Sequence, residues 1–145
     1  MRDYKKILLC LDLTDESERI AERAKGLAIT FGAELTLLHV VEYVPVEPMG
    51  EALLPAVQIE GELVERARVR IAELAEKLGL GQCERLVHTG NIKTEVVRIA
   101  QTRACDLIVI GSRERHGVSI LFNFTEDTVL HAAPCDVLAV RLHRE

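Results

Sequence analysis

The chain has 145 residues, 48% of them hydrophobic and 28% charged, with a net charge of −5 at pH 7. That length fits a single domain over residues 1–145 and suffices to bury a core. The acidic balance, with no Trp and only three Phe and two Tyr, argues against nucleic acid as a partner, because nothing draws in a phosphate backbone or stacks on its bases. No apolar run reaches the roughly 18 residues of a membrane span. The first apolar run is short and contains Asp12, so no secretory leader is expected either, and the expected location is cytoplasmic. The four cysteines, Cys10, Cys83, Cys105 and Cys135, contain no Cys-x-x-Cys pair, which removes the usual zinc spacing. They read as reduced thiols used as small core residues, with a redox role left open for Cys83 and Cys105, whose flanks are polar.

In chain order, Lys6 to Leu11 is a continuous apolar run closed by Asp12, as in a strand buried on both faces. Asp15 to Phe31 is helical in period: Ile20, Ala24, Leu27, Ala28 and Phe31 form one stripe, with Glu18, Glu22 and Lys25 mostly opposite. Thr14 or Asp15 is placed to cap its start, and Gly32 to stop it. Glu34 to Val41 reads as a second strand. Glu42 to Pro55, with three prolines and Gly50, reads as an irregular excursion bordering the end of that strand. Ile59 to Leu78 is a long helix with Leu63, Ala67, Ile71, Leu74 and Leu78 inward, ended by Gly79 and Gly81. Then come a strand at Cys83 to His88, a helix at Lys93 to Arg103 introduced by Gly90-Asn91, a strand at Asp106 to Gly111, a helix at Asn123 to Ala132 and a strand at Asp136 to Leu142.

Strands alternating with helices of these lengths imply right-handed crossovers and a parallel sheet. Such sheets bind ligands at the carboxyl ends of their strands, near the switch in strand order. Here those ends are Asp12, Val41-Glu42, His88-Thr89-Gly90 and Gly111-Ser112.

Four segments in this order and spacing resemble the universal stress protein family over essentially the whole chain. They are Tyr4 to Asp12, Leu37 to Val41, Gly111-Ser112-Arg113, and Val129 to Val140. The resemblance implies a five-stranded parallel α/β domain with helices on both faces, Rossmann-like and similar to the adenine nucleotide α-hydrolases. It implies a homodimer joined through the last strand, Asp136 to Leu142. One branch of the family binds ATP and another does not. In the binders, the base lies near the aspartate matched here by Asp12 and the strand end matched by Val41. The phosphates lie on a loop of pattern Gly, two residues, Gly, eight or nine residues, then Gly-Ser or Gly-Thr. Gly111 matches the first glycine, with Ser112 and Arg113 following it. Glu114 falls on the second, and Asn123-Phe124 on the Gly-Ser, with Thr125 next. The base side matches and the phosphate side departs.

A phosphate loop uses glycine because the backbone must approach the anion closely, with converging N–H groups. Glu114 sets a carboxylate there; two like charges about 5 Å apart at an effective dielectric near 20 repel by about 3 kcal/mol. Phe124 replaces a hydroxyl, and Asn123 with Glu126 forms a capping-box-like pair for the helix N–H groups that a triphosphate would use. Glu114, between Arg113 and Arg115, also reads as a solvated surface charge, and Phe122 and Phe124 as packing residues. Arg113, Arg115 and His116 keep the loop cationic on balance, and AMP would need less of the cradle than ATP.

Other chemistry is sparse. Asp12 and Asp15 read as a strand-end and a helix-start aspartate rather than a catalytic pair. His39 reads as a hydrogen-bonded core histidine. His88 and His131 stand alone in sequence, without a nucleophile from which a triad could be built. Gly90-Asn91 reads as a turn and cap. The expectation is a non-catalytic homodimeric stress-response protein that acts by binding an unidentified protein partner, with weak or absent ATP binding, no metal and no obligatory cofactor. The alternative is an ATP- or AMP-binding member with an altered loop and slow hydrolysis.

Overall fold

The computed structural model of the protein describes residues 3–42, 53–112, 129 and 131–141, with side chains for all of these except 53–58 and 112. The elements run β1 (Lys6–Cys10), α1 (Ser17–Phe31), β2 (Glu34–Val41), α2 (Leu53–Lys77), β3 (Glu84–Thr89), α3 (Ile92–Thr102), β4 (Leu107–Ser112) and β5 (Asp136–Arg141). Val129, His131 and Ala132 carry helical backbone; the rest of the helix expected from Asn123, namely residues 123–128 and 130, lies outside the described residues.

The five strands form one sheet in the order β3-β2-β1-β4-β5, every pairing parallel. The apolar runs of β1, β2 and β4 are continuous because both faces of the sheet are covered. Ile7, Leu9, Leu35, Leu37, Leu107 and Val109 pack with Ile20, Ala24, Ala67, Ile71 and Ala75 of α1 and α2. Leu8, Leu38, Val40, Ile108 and Ile110 pack with Val96, Ile99 and Ala100 of α3 and with Val129. Neighbouring residues on a strand thus feed opposite cores.

The strand order reverses between β1 and β4. The chain steps outward from β1 to β2 and β3, then returns to the other side of β1 for β4 and β5. Right-handed crossovers therefore place the α1/α2 pair on one face and α3 on the other. In parallel sheets the carboxyl edge at such a reversal is the usual place for a ligand.

Helix ends follow local chemistry. Gly32 (φ 65°) stops α1 in the left-handed region, and the Ala33 N–H reaches back to the Ala28 carbonyl at 2.9 Å, the Schellman pattern. Gly79 (φ 72°) ends α2, where Lys25 Nζ donates to the Leu78 carbonyl at 2.6 Å.

Two starts differ from the sequence expectation. Helix α2 begins at Leu53 rather than Ile59. Pro55 is tolerated because it falls in the first turn, where an N–H has no intrahelical partner. Of the expected irregular excursion, 43–52 lie outside the described residues. Helix α1 begins at Ser17 rather than Asp15; Glu16 occupies the N-cap position and no side chain caps the helix. The residues expected to cap it, Thr14 and Asp15, precede it, and Asp12 gathers Thr14 and Ser17 into a turn instead.

Candidate functional site

The carboxyl edge is set by register. Val41 lies beside Thr89, and Leu9 pairs with both Leu37 and Val109. The β1–β4 pairing runs to Leu9 and Val109, so Asp12, just past the end of β1, and Gly111 and Ser112, at the end of β4, fall on the same edge. Asp12, Val41, Gly111 and Ser112 thus line one edge at the strand-order switch, as the sequence predicted. Arg113, Glu114, Asn123, Phe124 and Thr125, the rest of the expected site and its departures, lie outside the described residues, as do Arg115, His116 and Phe122.

The turn after β1 is the most constrained part of this edge. Asp12 Oδ1 accepts from the Thr14 N–H at 3.1 Å, Thr14 Oγ1 at 2.8 Å and Ser17 Oγ at 3.0 Å. Asp12 itself is exposed, whereas Ser17 is buried at 3%, so the carboxylate satisfies a hydroxyl that water cannot reach. Between these groups, Leu13 sits at φ 58°. A bulky non-glycine residue in the left-handed region costs about 1–3 kcal/mol and persists only where its surroundings over-determine it. Leu13 is buried in the α1/α2 core, and its carbonyl accepts from Arg70 Nη2 of α2 at 2.5 Å. A hydrogen bond from a charged donor contributes about 1.5–3 kcal/mol, the same order as the strain.

The carbonyl on the other side of Asp12 is held too. Leu11 O receives His39 Nδ1 of β2 at 2.7 Å, and because a carbonyl only accepts, Nδ1 carries the proton. His39 is thus the hydrogen-bonded histidine expected from sequence, with a specific duty at the strand end. At the start of α1, Glu16 Oε2 is buried with no hydrogen-bond partner among the described residues.

The edge between β2 and α3 is organised differently. The Gly90 N–H donates to the Val41 carbonyl at 3.1 Å, and Gly90 holds φ 137°, a conformation that side chains strain to adopt. Asn91 Oδ1 caps α3 by accepting the Thr94 N–H at 3.0 Å, and Glu42 Oε2 accepts the Ile92 N–H at 2.9 Å. The turn-and-cap reading of Gly90-Asn91 holds.

His88 does not stand alone: its Nδ1 lies 3.1 Å from Glu95 Oε1 and 3.1 Å from Arg98 Nη2, and Arg98 Nη2 donates to Glu95 at 2.6 Å. The Arg98 hydrogen bond first, then the one to His88, holds the Glu95 carboxyl below its ordinary range despite opposing desolvation. Asp15 joins neither this cluster nor the Asp12 hydrogen bonds.

All four cysteines are free thiols. Burial pushes the Cys105 thiol up to about 11, raises Cys10 further, and outweighs Arg85 in raising Cys83. Thiols shifted this way carry little thiolate, which weighs against the redox role left open for Cys83 and Cys105. Among the described residues, no group of three His, Cys, Asp or Glu could hold a metal, and no helix is long and apolar enough to cross a membrane.

A family model described as the universal stress protein family matches residues 3–141, the span from Tyr4 and the Asp12 turn through the switch to β5. The chain belongs to the universal stress protein family. Universal stress protein A homolog 2 of Coxiella burnetii is 38% identical over 143 residues, covering 98% of each chain. Among solved structures, the universal stress protein UspA from Lactobacillus plantarum superposes with a TM-score of 0.83 at 22% identity, covering 97% of this chain and 100% of that one. A universal stress protein in complex with cAMP matches at 0.65 and 22% identity, covering 96% and 98%. The likeness confirms the parallel α/β universal stress fold.

Sequence reasoning missed Arg70. It lies three residues after Ala67 and four before Leu74, on the rim of the apolar stripe of α2, and a cation on that rim was the available signal. It also missed the strained Leu13, for which the sequence offers no glycine, Asn or Asp as a cue.

Proposed function

We propose that this universal stress protein is a non-catalytic, cytoplasmic homodimer of the stress response. Its base-side turn holds an adenine-bearing ligand weakly, and its phosphate loop holds ATP weakly or not at all. The observation that carries the reading is the Asp12–Ser17 turn at the β1–β4 switch, built to one shape by Asp12, His39 and Arg70. The phosphate half rests on sequence: Glu114, Asn123 and Phe124 stand where a cradle needs glycine and a hydroxyl. The complex of a structural neighbour with cAMP, an adenine nucleotide with one phosphate, supplies a precedent for a ligand that needs little of that cradle. In the Asp12 turn the Thr14 and Ser17 hydroxyls are both held by Asp12 Oδ1, with Ser17 buried, and the His88–Glu95–Arg98 cluster holds no hydroxyl or thiol nucleophile; both features support the non-catalytic reading.

The experiment is release of any bound small molecule by denaturation, followed by calorimetric titration with AMP and with ATP and Mg²⁺. AMP binding that is weak but measurable, with ATP at millimolar affinity or weaker, supports the reading. ATP co-purifying at near one per chain overturns it. Glu114→Gly with Asn123→Gly and Phe124→Ser is expected to raise ATP affinity.

The homodimer is proposed through β5, which stands at the end of the sheet order, where a strand can pair with one from a second copy. Val140 is buried within the chain at 4%, whereas Ala139 is exposed. Ala139→Asp therefore tests the edge without injuring the core. A lower mass in light scattering is expected; an unchanged dimer removes β5 from the interface.

A further inference from the structure

Asp12 is gripped from both sides by elements distant in sequence. His39 of β2 holds the carbonyl before it, and Arg70 of α2 holds the carbonyl after it. The two grips differ in what they oppose. Leu11 continues the strand, its N–H still paired to Leu38 O at 2.9 Å, so His39 completes a conformation the chain already favours. Leu13 is in the left-handed region at φ 58°, so Arg70 holds a conformation the chain disfavours. The Arg70 residue is exposed, and its stem is not needed to fill the core. Arg68, two residues earlier on the same helix, also carries a guanidinium, but in an ion pair with Glu65 whose partners are 62% and 69% exposed.

We infer that Arg70 is a positioning residue of the base-side site: by holding the Leu13 carbonyl it fixes the left-handed turn that sets the Asp12 carboxylate at the sheet edge. The inference rests on the base-side reading given under the proposed function. In the left-handed turn the chain reverses directly after Asp12, and the carboxylate closes on the Thr14 N–H and Ser17 Oγ. When Leu13 relaxes toward the extended or helical region, those donors move away and the carboxylate loses its fixed direction. A ligand that uses this carboxylate then meets a fraction of competent molecules rather than all of them, and its apparent affinity falls by that fraction.

The test compares the wild type with Arg70→Met, Arg70→Lys and Arg68→Met. Amide exchange at Thr14, whose N–H is held by Asp12, reads the turn directly and without ligand. Exchange at Leu9 in the middle of β1 reads the sheet. In Arg70→Met, Thr14 exchange is expected to rise about tenfold, and AMP affinity to fall by a similar factor, with Leu9 unchanged. Arg70→Lys, which retains a charged donor, is expected to restore both to within about threefold, and Arg68→Met to match the wild type. Equal rises at Thr14 and Leu9 overturn the inference, because Arg70 then only ties α2 to the sheet. Unchanged Thr14 exchange and AMP affinity in Arg70→Met overturn it as well. A wild type that binds no AMP at millimolar concentration overturns the base-side reading itself, an outcome visible before any variant is made.

Discussion

Helices α1 and α3 both begin on the carboxyl edge of the sheet, and they begin in opposite ways. At α3 the side chains serve the helix: Asn91 caps it and Glu42 takes its Ile92 N–H. At α1 they serve the turn before the helix, and no side chain caps it; Asp12 is committed to Thr14 and Ser17. The first N–H groups of α1 turn to backbone instead, Ser17 donating to the Thr14 carbonyl and Arg19 to that of Glu16, both at 3.1 Å. The two starts therefore divide the edge into a corner at β2–α3 where side chains hold the helix, and the proposed binding corner at the β1–β4 switch, where they hold the turn before it.

The division predicts different responses to substitution. The largest effect is expected for Asp12→Ala, which strands the buried Ser17 hydroxyl and releases two donors of Thr14. It should lower stability by about 2–3 kcal/mol, read as a fall in the urea midpoint at unchanged m. A loss no larger than that of a surface aspartate would break the comparison, since the turn would then not be held by Asp12. Asn91→Ala, which removes one cap at the corner where Glu42 still bonds Ile92, should cost about 1 kcal/mol without altering nucleotide affinity. A change in affinity there would move the binding corner to α3.

Glu95 supplies a pH signature for the structural corner. Its carboxyl is held below the ordinary range in the folded protein by Arg98 and then His88. Its contribution to stability is therefore present above the unfolded-state value of about 4.3 and is lost as pH falls through the lower folded value. Glu95→Gln should flatten the acid limb of unfolding free energy against pH below about pH 4.5 and leave the slope above about pH 6 alone. The smallest effect is expected for Lys77→Ala. The Lys77–Glu18 pair is 64% and 39% exposed, and its loss should change stability by less than about 0.5 kcal/mol, falling to nothing in high salt.

The fold was legible because its cues are local. Strands covered on both faces read as unbroken apolar runs, and Gly32 and Gly79 mark the two helix ends whose φ values require them. Helix starts were less legible because an N-cap is a competition. The sequence offers Thr14 and Asp15 as caps, and only the turn geometry shows that Asp12, ahead of both, takes the donors. The site was half legible. Asp12 and Val41 follow from the ends of apolar runs, and the family pattern points to them. The residues that give the site its shape come from far along the chain, His39 lying 28 positions from Leu11 and Arg70 57 from Leu13. No motif encodes such a pairing, because it depends on how α2 crosses the sheet. The His88 cluster was hidden for the same reason: Glu95 and Arg98 reach it only when α3 folds back beside β3.

The reversal of strand order also shapes how the molecule is made. Strand β1 sits at the centre of the sheet, yet its β4-side neighbour is supplied only after a long detour, with Lys6 N bonded to Asp106 Oδ1 100 residues away. While the ribosome is still producing β2, α2 and β3, a strongly apolar strand presents an open edge. Pairings this remote in sequence form slowly, and an unpaired edge is where nascent chains stick to one another. The strand order that places the proposed site thus also sets a vulnerable interval during synthesis, which ends when β4 docks against β1.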